Sequence, residues 1–580
     1  MYWTDVINQV LIFAILAMSL NLLLGYAGQI SVAHAAFAAI GGYTTGYLSL
    51  KHGTPVAVAL VIGCAGAAVI GMLVSIPALL LTSEFVILLT LSVQTIVLVI
   101  ITSVPALGGL YGLTGLPTVS FFGKELLRPS DWLVPLLVTN AIVFALLSWI
   151  GESPFGRVLR GIREDQLATQ SLGKDVFIKK VAVFGITSAI AALGGMLLAF
   201  YNGTVSPGLY GFSQSILIVA MVVLGGRGNL AGSVLGAAVV IGADPLFEKV
   251  INLAPDKAAL WRLVAFGVLL VVVLIVRPEG LLPEGATPAA LRRRLWRRPV
   301  APVAKPPSGE TLATELSAQS GTHHVEDPRT IVEVRDVRKA FGGIHAVDGL
   351  SFDLLQGRVT GLIGPNGAGK TTVFNLLTGT VPPDSGTVLL RGDDITGWPI
   401  DRVARHGMVR SFQDVRVFPQ LTVLDNVRLA VPDQRGERLW ELFLMPWRVI
   451  RDRRRVLHHT HEALGFVGLD FKQHARVGTL PFGEQKLVAL ARVLATDAQV
   501  LLLDEPASGV DAEWVDRMVE IIQRLRDHGL TVCIVEHNLH VVERVADRIF
   551  FMESGRISAD GTMQDLVEDE RLVEVYFGQP

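Results

Sequence analysis

Apolar residues run in long unbroken stretches through the first half of the chain and in short bursts through the second. Runs near 5–25, 30–50, 55–82, 84–106, 131–150, 177–201, 213–225, 232–247 and 259–277 predict helices. Several reach the roughly 20 residues that cross a bilayer core, where the helix satisfies its own backbone without water. The runs at 30–50 and 213–247 carry glycine and polar residues ("GYAGQISVAHAAF", "VVLGGRGNLAGSVLGA"). That composition suits close-packed or re-entrant segments beside a cavity, so about eight to ten spans are expected. One stretch breaks the pattern. "SPFGRVLRGIREDQLATQSLGKD", 153–175, spaces its apolar residues like a helix yet carries Arg157, Arg160, Arg163, Glu164, Asp165, Lys174 and Asp175. It reads as an amphipathic helix reaching into water.

Charge sharpens the division. Of the 102 charged side chains (50 Lys and Arg plus 52 Asp and Glu), 26 lie in residues 1–283. The predicted domains are a transmembrane domain over 1–283, a basic then Pro/Ala-rich flexible linker over 284–328, and a soluble domain over 329–580. From 329 onward β-type runs alternate with helical patterns, the sign of an α/β fold around a mainly parallel sheet. The basic flank "RPEGLLPEGATPAALRRRLWRR" places the end of the membrane part, and the domain after it, in the cytoplasm. Alternation then puts 107–130 outside and, with nine spans, the N-terminus outside. Cys64 and Cys533 are too far apart in sequence, with no CxxC spacing, to suggest a disulfide framework or thiolate metal site. The start of the chain lacks the basic segment and cleavage site of a signal peptide.

"RVTGLIGPNGAGKTT" is a hydrophobic strand, a glycine-rich loop and the start of a helix. Gly364, Pro365, Asn366, Gly367, Ala368, Gly369, Lys370 and Thr371 fit G-x-x-x-x-G-K-[ST], with Thr372 following. Backbone amides of such a loop close around phosphate oxygens, assisted by the helix N-terminus. Lys370 would reach the β- and γ-phosphates of ATP, and the Thr371 hydroxyl could ligate Mg²⁺. "QVLLLDEP" ends a buried strand in Asp504, suited to Mg²⁺, with Glu505 beside it to polarise a water. "TVCIVEHN" delivers His537 to the same sheet edge, where α/β proteins bind ligands.

Together these motifs, with "RSFQDVRVFPQLTVLDNV", "LPFGEQKLVALARVL" and "LLLDEPASGVD" in this order, resemble the ATPase of ABC transporters over roughly 330–580. The resemblance implies that Gln413 touches Mg²⁺ beneath the membrane domain, that Phe341 stacks on adenine, and that Asp511 belongs to the D-loop. Where the family usually has Leu-Ser-Gly-Gly-Gln, this chain has Leu480, Pro481, Phe482, Gly483 and Glu484. Proline removes a hydroxyl that would bind the partner's ATP and has no N–H, but it suits the first turn of a helix. A weaker, working clamp is expected, with the helix dipole retained.

The first half resembles the permease of branched-chain amino acid uptake ABC transporters in "NLLLGYAGQISVAHAAF", "GRVLRGIREDQLATQSLG", "VVLGGRGNLAGSVLGA" and "VRPEGLL"; "LPFGEQK" and the closing "VYFG" fit the ATPases of that family. The expected architecture is therefore a polytopic α-helical membrane domain followed by an α/β P-loop ABC-type ATPase. The stretch 153–175 would be a coupling helix in a groove near Gln413, with Arg160, Arg163, Glu164, Gln166 and Gly173 among its residues. The resemblance implies ATP-driven solute import using ATP and Mg²⁺. It also implies a second permease subunit and a second ATPase, hetero-assembly being favoured over a homodimer. An extracytoplasmic solute-binding protein and lipid would be further partners, in a multi-pass protein of the cell (inner) membrane. Spans bearing glycine, Ser31, His34 and Thr114 would line the solute cavity, and Asp244 would lie near a membrane face. Urea, short amides or other amino acids are alternative solutes. Rival functions are a lipid or drug exporter, which predicts six long helices with extended arms, and a membrane-anchored regulatory ATPase without transport. The basic tract 451–455 reads as a solvated helix face rather than a nucleic-acid site.

Overall fold

The computed structural model describes residues 2–78, 83–121, 123–245, 267–268, 271–272, 275–277, 279–284 and 329–568. The linker beyond Glu284, the "RRRLWRR" flank, most of the run 259–277 and the closing "VYFG" lie outside the described residues, as does the Asp244 side chain. The chain forms two compact units: Met1–Arg163 with Val176–Pro299, and Glu164–Asp175 with Val300–Pro580.

The first unit is helical: α1 (Tyr2–Asn21, continuing as a wider turn to Tyr26), α2 (His34–His52), α3 (Val56–Ala78), α4 (Ser83–Ser103), α5 (Pro129–Glu152), α6 (Pro154–Glu164), α8 (Val176–Asn202), α9 (Phe212–Gly225) and α10 (Leu230–Pro245). α7 (Gln166–Ser171) belongs to the second unit. Six described helices are long and apolar enough to span a membrane: Tyr2–Tyr26, Val56–Ala78, Phe85–Ser103, Pro129–Glu152, Val176–Asn202 and Pro207–Gly225. The first and fifth of these are largely buried, whereas the α3, α4 and α5 spans expose apolar faces. Small residues set the packing distance. A Cβ on Gly195 would stand 1.9 Å from the Ala38 carbonyl oxygen, and one on Gly41 would stand 2.2 Å from that of Ala192, so α2 and α8 touch through bare backbone. Two short strand pairs, β1 (Leu113–Thr114) with β4 (Thr204–Val205) and β2 (Ser120–Phe121) with β3 (Lys124–Glu125), complete the unit.

Stretches expected beside a cavity take definite partners here. "GGRGNLAG" forms the connection between α9 and α10 and is stapled to α1. Asn21 Nδ2 donates to the Asn229 carbonyl at 2.8 Å and Ser233 Oγ at 2.6 Å, while Gly228 N donates to Asn21 Oδ1 at 2.8 Å. Ser31, His34 and Thr114 have separate settings. His34 is buried with Nε2 3.2 Å from Ser19 Oγ, Ser31 caps its own turn through Ala33 N, and Thr114 is an exposed residue of β1. A cavity of about 450 Å³ is lined by Ile40, Tyr43, Thr44, Tyr47 and Ile62 among others, and by none of those three.

The second unit contains β5 (Thr330–Phe341), β6 (Ile344–Leu355), β7 (Val359–Ile363), β8 (Ser385–Leu390), β9 (Asp393–Asp394), β10 (Met408–Arg410), β11 (Val500–Asp504), β12 (Thr531–Val535), β13 (Arg548–Glu553) and β14 (Arg556–Gly561). Its central sheet has the order β10-β11-β12-β7-β13-β14, parallel except for β14. β7, β11 and β12 are buried at every position, which explains their continuous apolar runs. A second, antiparallel sheet, β6-β5-β8-β9, was not foreseen from the β/α alternation. Its leading hairpin turns at Gly342 and Gly343, both at positive φ.

Candidate functional site

Parallel strands ending on one side bring chemistry to a common edge. β7 leads through the glycine loop to the helix Lys370–Leu377. Gly364 (φ 149°) is forced: a Cβ there would stand 2.0 Å from the Met552 carbonyl oxygen. Lys370 Nζ donates to the carbonyls of Gly364 at 2.7 Å and Pro365 at 2.9 Å. Burial draws its pKa down, opposed by the charges of Glu505 and Asp504. Thr371 is exposed and Thr372 partly buried at the start of that helix.

β11 ends in Asp504. Burial pushes its carboxyl up, offset mainly by Arg410, whose Nη2 lies 2.5 Å from Oδ2. Arg410 ends β10, three residues before Gln413, and also reaches Asn375. Gln413 is exposed and lines one depression with Ser411, Phe412, Asp504 and Glu505. His537 Nε2 is 3.2 Å from Glu505 Oε1. Phe341, half exposed at the end of β5, has Lys339 Nζ 5.6 Å from its ring centroid.

Glu505 sits at φ +48°, a left-handed conformation costly for a side-chain-bearing residue. Two side chains not singled out in the sequence hold its turn. Lys486 Nζ donates to the carbonyls of Glu505 and Pro506 at 3.2 Å each, and to that of Ser508. Buried Glu536 accepts from Ala507 N at 2.7 Å. The available signals were Glu536, a charge directly after the apolar run "VCIV", and Lys486 at the start of the apolar stretch "LVAL".

The signature segment precedes the helix Phe482–Leu494. Pro481 is its N-cap rather than its first-turn residue, so the missing N–H removes no intrahelical bond. Leu480 is buried and Phe482 half exposed. A Cβ on Gly483 would fall 2.8 Å from the Trp514 ring, and Glu484 pairs with Lys472 at 2.6 Å. Asp511 is exposed at the N-cap of Ala512–Asp527.

The predicted continuous coupling helix is instead two helices, and the split corrects the residue set. Asp165 breaks the helix, its Oδ1 accepting from Ala168 N at 2.9 Å. Before the break, Arg160 donates to the Gly151 carbonyl at 2.6 Å, and Arg163 donates to that of Gly25 at 2.5 Å and pairs with Glu284 at 2.8 Å. These two arginines are tied inside the helical unit by charge-assisted hydrogen bonds to backbone carbonyls. After the break, α7 is seated in the second unit. Ala168 and Leu172 join the buried cluster of Val417, Phe418 and Leu421. Gln420 N donates to Glu164 Oε2 at 3.4 Å, and Gln166 opens α7. Gly173 (φ +76°) passes so close to Arg405 that a Cβ would stand 3.0 Å from its Cγ.

Sequence reasoning missed the strongest ties. Asp165 Oδ2 lies 3.2 Å from Arg416 Nη1, and buried Lys174 donates to the Val431 carbonyl at 2.8 Å and pairs with Glu437 at 2.7 Å. Arg492, from the signature helix, donates to the Arg416 carbonyl at 2.6 Å and lies 4.4 Å from the Phe418 centroid. Burial draws its guanidinium down to about 10. A continuous set of contacts therefore joins the signature helix, the loop after Gln413 and α7.

A glycine phosphate loop, an Asp-Glu strand end and a facing histidine on this sheet define an ABC-type ATPase. Comparisons agree and extend the assignment to both halves. Residues 2–274 match the family "Branched-chain amino acid transport system / permease component", and residues 347–508 match the ABC transporter family. The chain is 36% identical over 253 residues to the high-affinity branched-chain amino acid transport ATP-binding protein BraF of Pseudomonas aeruginosa, covering 99% of that protein and 43% of this chain. It is 34% identical over 250 residues to the corresponding LivG of Escherichia coli K12, covering 98% of it and 43% of this chain. The crystal structure of a nucleotide-free ATP-binding cassette from an ABC transporter aligns at 30% identity with TM-score 0.38, covering all of that chain and 43% of this one. The chain belongs to the ABC transporters, with a permease domain and an ATP-hydrolysing, ATP-binding domain fused in one membrane polypeptide.

Proposed function

We propose that this chain is one half of an ATP-driven importer of branched-chain or other hydrophobic amino acids, fed by an extracytoplasmic binding protein. The observation that carries the reading is the seat of α7: a segment lying between α6 and α8 in sequence packs into the core of the ATPase unit beside the loop of Gln413. A regulatory ATPase without transport has no use for that seat.

In this reading the domains are 1–283, 284–328 and 329–580, with the last in the cytoplasm of a cell bearing the permease in its inner membrane. The loop Gly364–Thr372 and Lys370 bind the phosphates of ATP, and Phe341 stacks on the base. Glu505 is the general base that draws a proton from water, held toward His537, which contacts the γ-phosphate. Mg²⁺ fits the edge: Asp504 Oδ1 is buried without a hydrogen-bond partner, and Thr371 and Gln413 supply neutral oxygens. Thr371, Asp504 and Gln413 would hold the ion, which supplies charge neutralisation at the phosphates. Leu480, Pro481, Phe482, Gly483, Glu484 and Asp511 serve the ATP site of a second ATPase, so a second permease and ATPase complete the assembly.

The test is ATPase turnover of the reconstituted transporter with its binding protein, scanning leucine, isoleucine, valine, other amino acids, urea and short amides. Stimulation by branched-chain or hydrophobic amino acids, absent in Glu505→Gln, is the expected result. Stimulation by urea or amides alone reassigns the solute, and no stimulation by any solute removes the importer reading.

A further inference from the structure

The basic tract 451–455 lies exposed on a helix face that also carries exposed apolar residues. The helix Leu439–Leu444 buries Glu441 and Leu442 while Trp440, Phe443 and Leu444 are 48%, 45% and 68% exposed. The next helix, Pro446–Val467, buries Val456, Ala463, Leu464 and Val467. Its opposite stripe places Trp447, Ile450, Arg451 and Arg454 at i, i+3, i+4 and i+7, one face of a helix, and all four are exposed. Arg448 and Arg453 flank the stripe, also exposed. The nearby carboxylates are consumed internally. Glu437 pairs with Lys174, Glu441 with Arg435 at 3.1 Å, and Asp452 with Arg455 at 2.8 Å. The outward face is therefore aromatic, aliphatic and net basic.

We propose that this face, from Trp440 to Arg454, rests on the anionic headgroups of the membrane that holds the permease, with Trp447 and Ile450 entering the interface. Tryptophan and large apolar residues beside arginine are the composition of interfacial helices, in which the rings sit at headgroup level and the guanidinium groups meet phosphate. Continuity of the chain supplies the proximity. Lys174 bonds the Val431 carbonyl and Glu437, and two residues after Lys174 the long apolar helix α8 begins at Val176. The segment that starts at Val431 is thus tied to Lys174, two residues along the chain from the start of that helix. The proposal goes beyond the import reading and does not depend on the solute carried.

The experiment uses the full chain, Cys64→Ser and Cys533→Ser, in nanodiscs, with a nitroxide at Ile450 (I450C) and a reference label at exposed Val567 (V567C). Collisions with an aqueous nickel reagent and with oxygen are read by electron paramagnetic resonance. In phosphatidylglycerol-containing discs the label at Ile450 should be shielded from nickel by about threefold or more relative to the reference. Phosphatidylcholine-only discs, or the triple change R451Q/R453Q/R454Q, should abolish the shielding while basal ATPase turnover persists. Equal shielding in both lipids and in detergent would show that protein, such as a partner subunit, covers the face, and would overturn the proposal. Nickel access equal to that of the reference in every lipid would overturn it as well.

Discussion

The phosphate edge and the seat of α7 occupy one unit but are assembled by different rules. At the edge, every key group is delivered by a strand end or the loop that follows it: Lys370 after β7, Asp504 and Glu505 at β11, His537 after β12. Each motif is a few contiguous residues that the sheet aligns, with Lys486 and Glu536 holding the turn of Glu505. At the seat, twelve contiguous residues, Glu164–Asp175, meet partners spread from Arg405 to Arg492. Chemistry can be localised because phosphate needs a few fixed donors. An attachment between segments far apart in sequence is instead buried and many-sided. Damage to the edge should therefore stop hydrolysis with the fold intact, and damage to the seat should leave hydrolysis running but disconnected.

The largest contrast is expected at Glu505. Glu505→Gln should lower ATP turnover by about 10²–10⁴-fold with nucleotide affinity retained, measured by steady-state phosphate release and by nucleotide titration. Comparable turnover in the variant would remove the general-base assignment.

At the seat, Lys174→Ala removes a buried ammonium from the Val431 carbonyl and from partly buried Glu437. The protection of α7 amides in hydrogen exchange should fall by about 1–3 kcal/mol, while basal hydrolysis persists and solute stimulation disappears. Arg160→Gln, on the other side of the break at Asp165, should leave α7 protection unchanged. Equal effects of the two would mean that α6 and α7 act as one lever after all.

A smaller effect separates the edge from its support. Lys486→Met frees three carbonyls of the turn that holds Glu505 at φ +48°. Turnover should drop by about tenfold to a hundredfold with KM for ATP little changed, and Lys486→Arg should restore part of it. A fall in thermal stability with unchanged kcat would make Lys486 a packing residue only.

The smallest effect tests the central sheet. Burial and the nearby Asp504 charge push the Cys533 thiol up to about 12, so at pH 8 almost none is thiolate. Maleimide should leave Cys533 unmodified in the folded protein and label it after denaturation, read by mass spectrometry of the peptide.

What the sequence determined on its own was whatever chemistry compels in a short window. Phosphate demands glycines, a lysine and a helix start within eight residues, and a membrane span demands an uninterrupted apolar run. Both are written contiguously, so the phosphate loop, the Asp-Glu strand end, His537 and most described spans were legible. The tertiary structure decided what depends on residues distant in sequence. It broke the charged stretch at Asp165, gave Arg160 and Arg163 to one unit and Lys174 to the other, and turned "GGRGNLAG" into a staple around Asn21. It also set Arg410 against Asp504 and Lys486 beneath Glu505. A charged side chain takes its role from whichever buried partner desolvates it, and in each of these cases the partner lies well outside the local window.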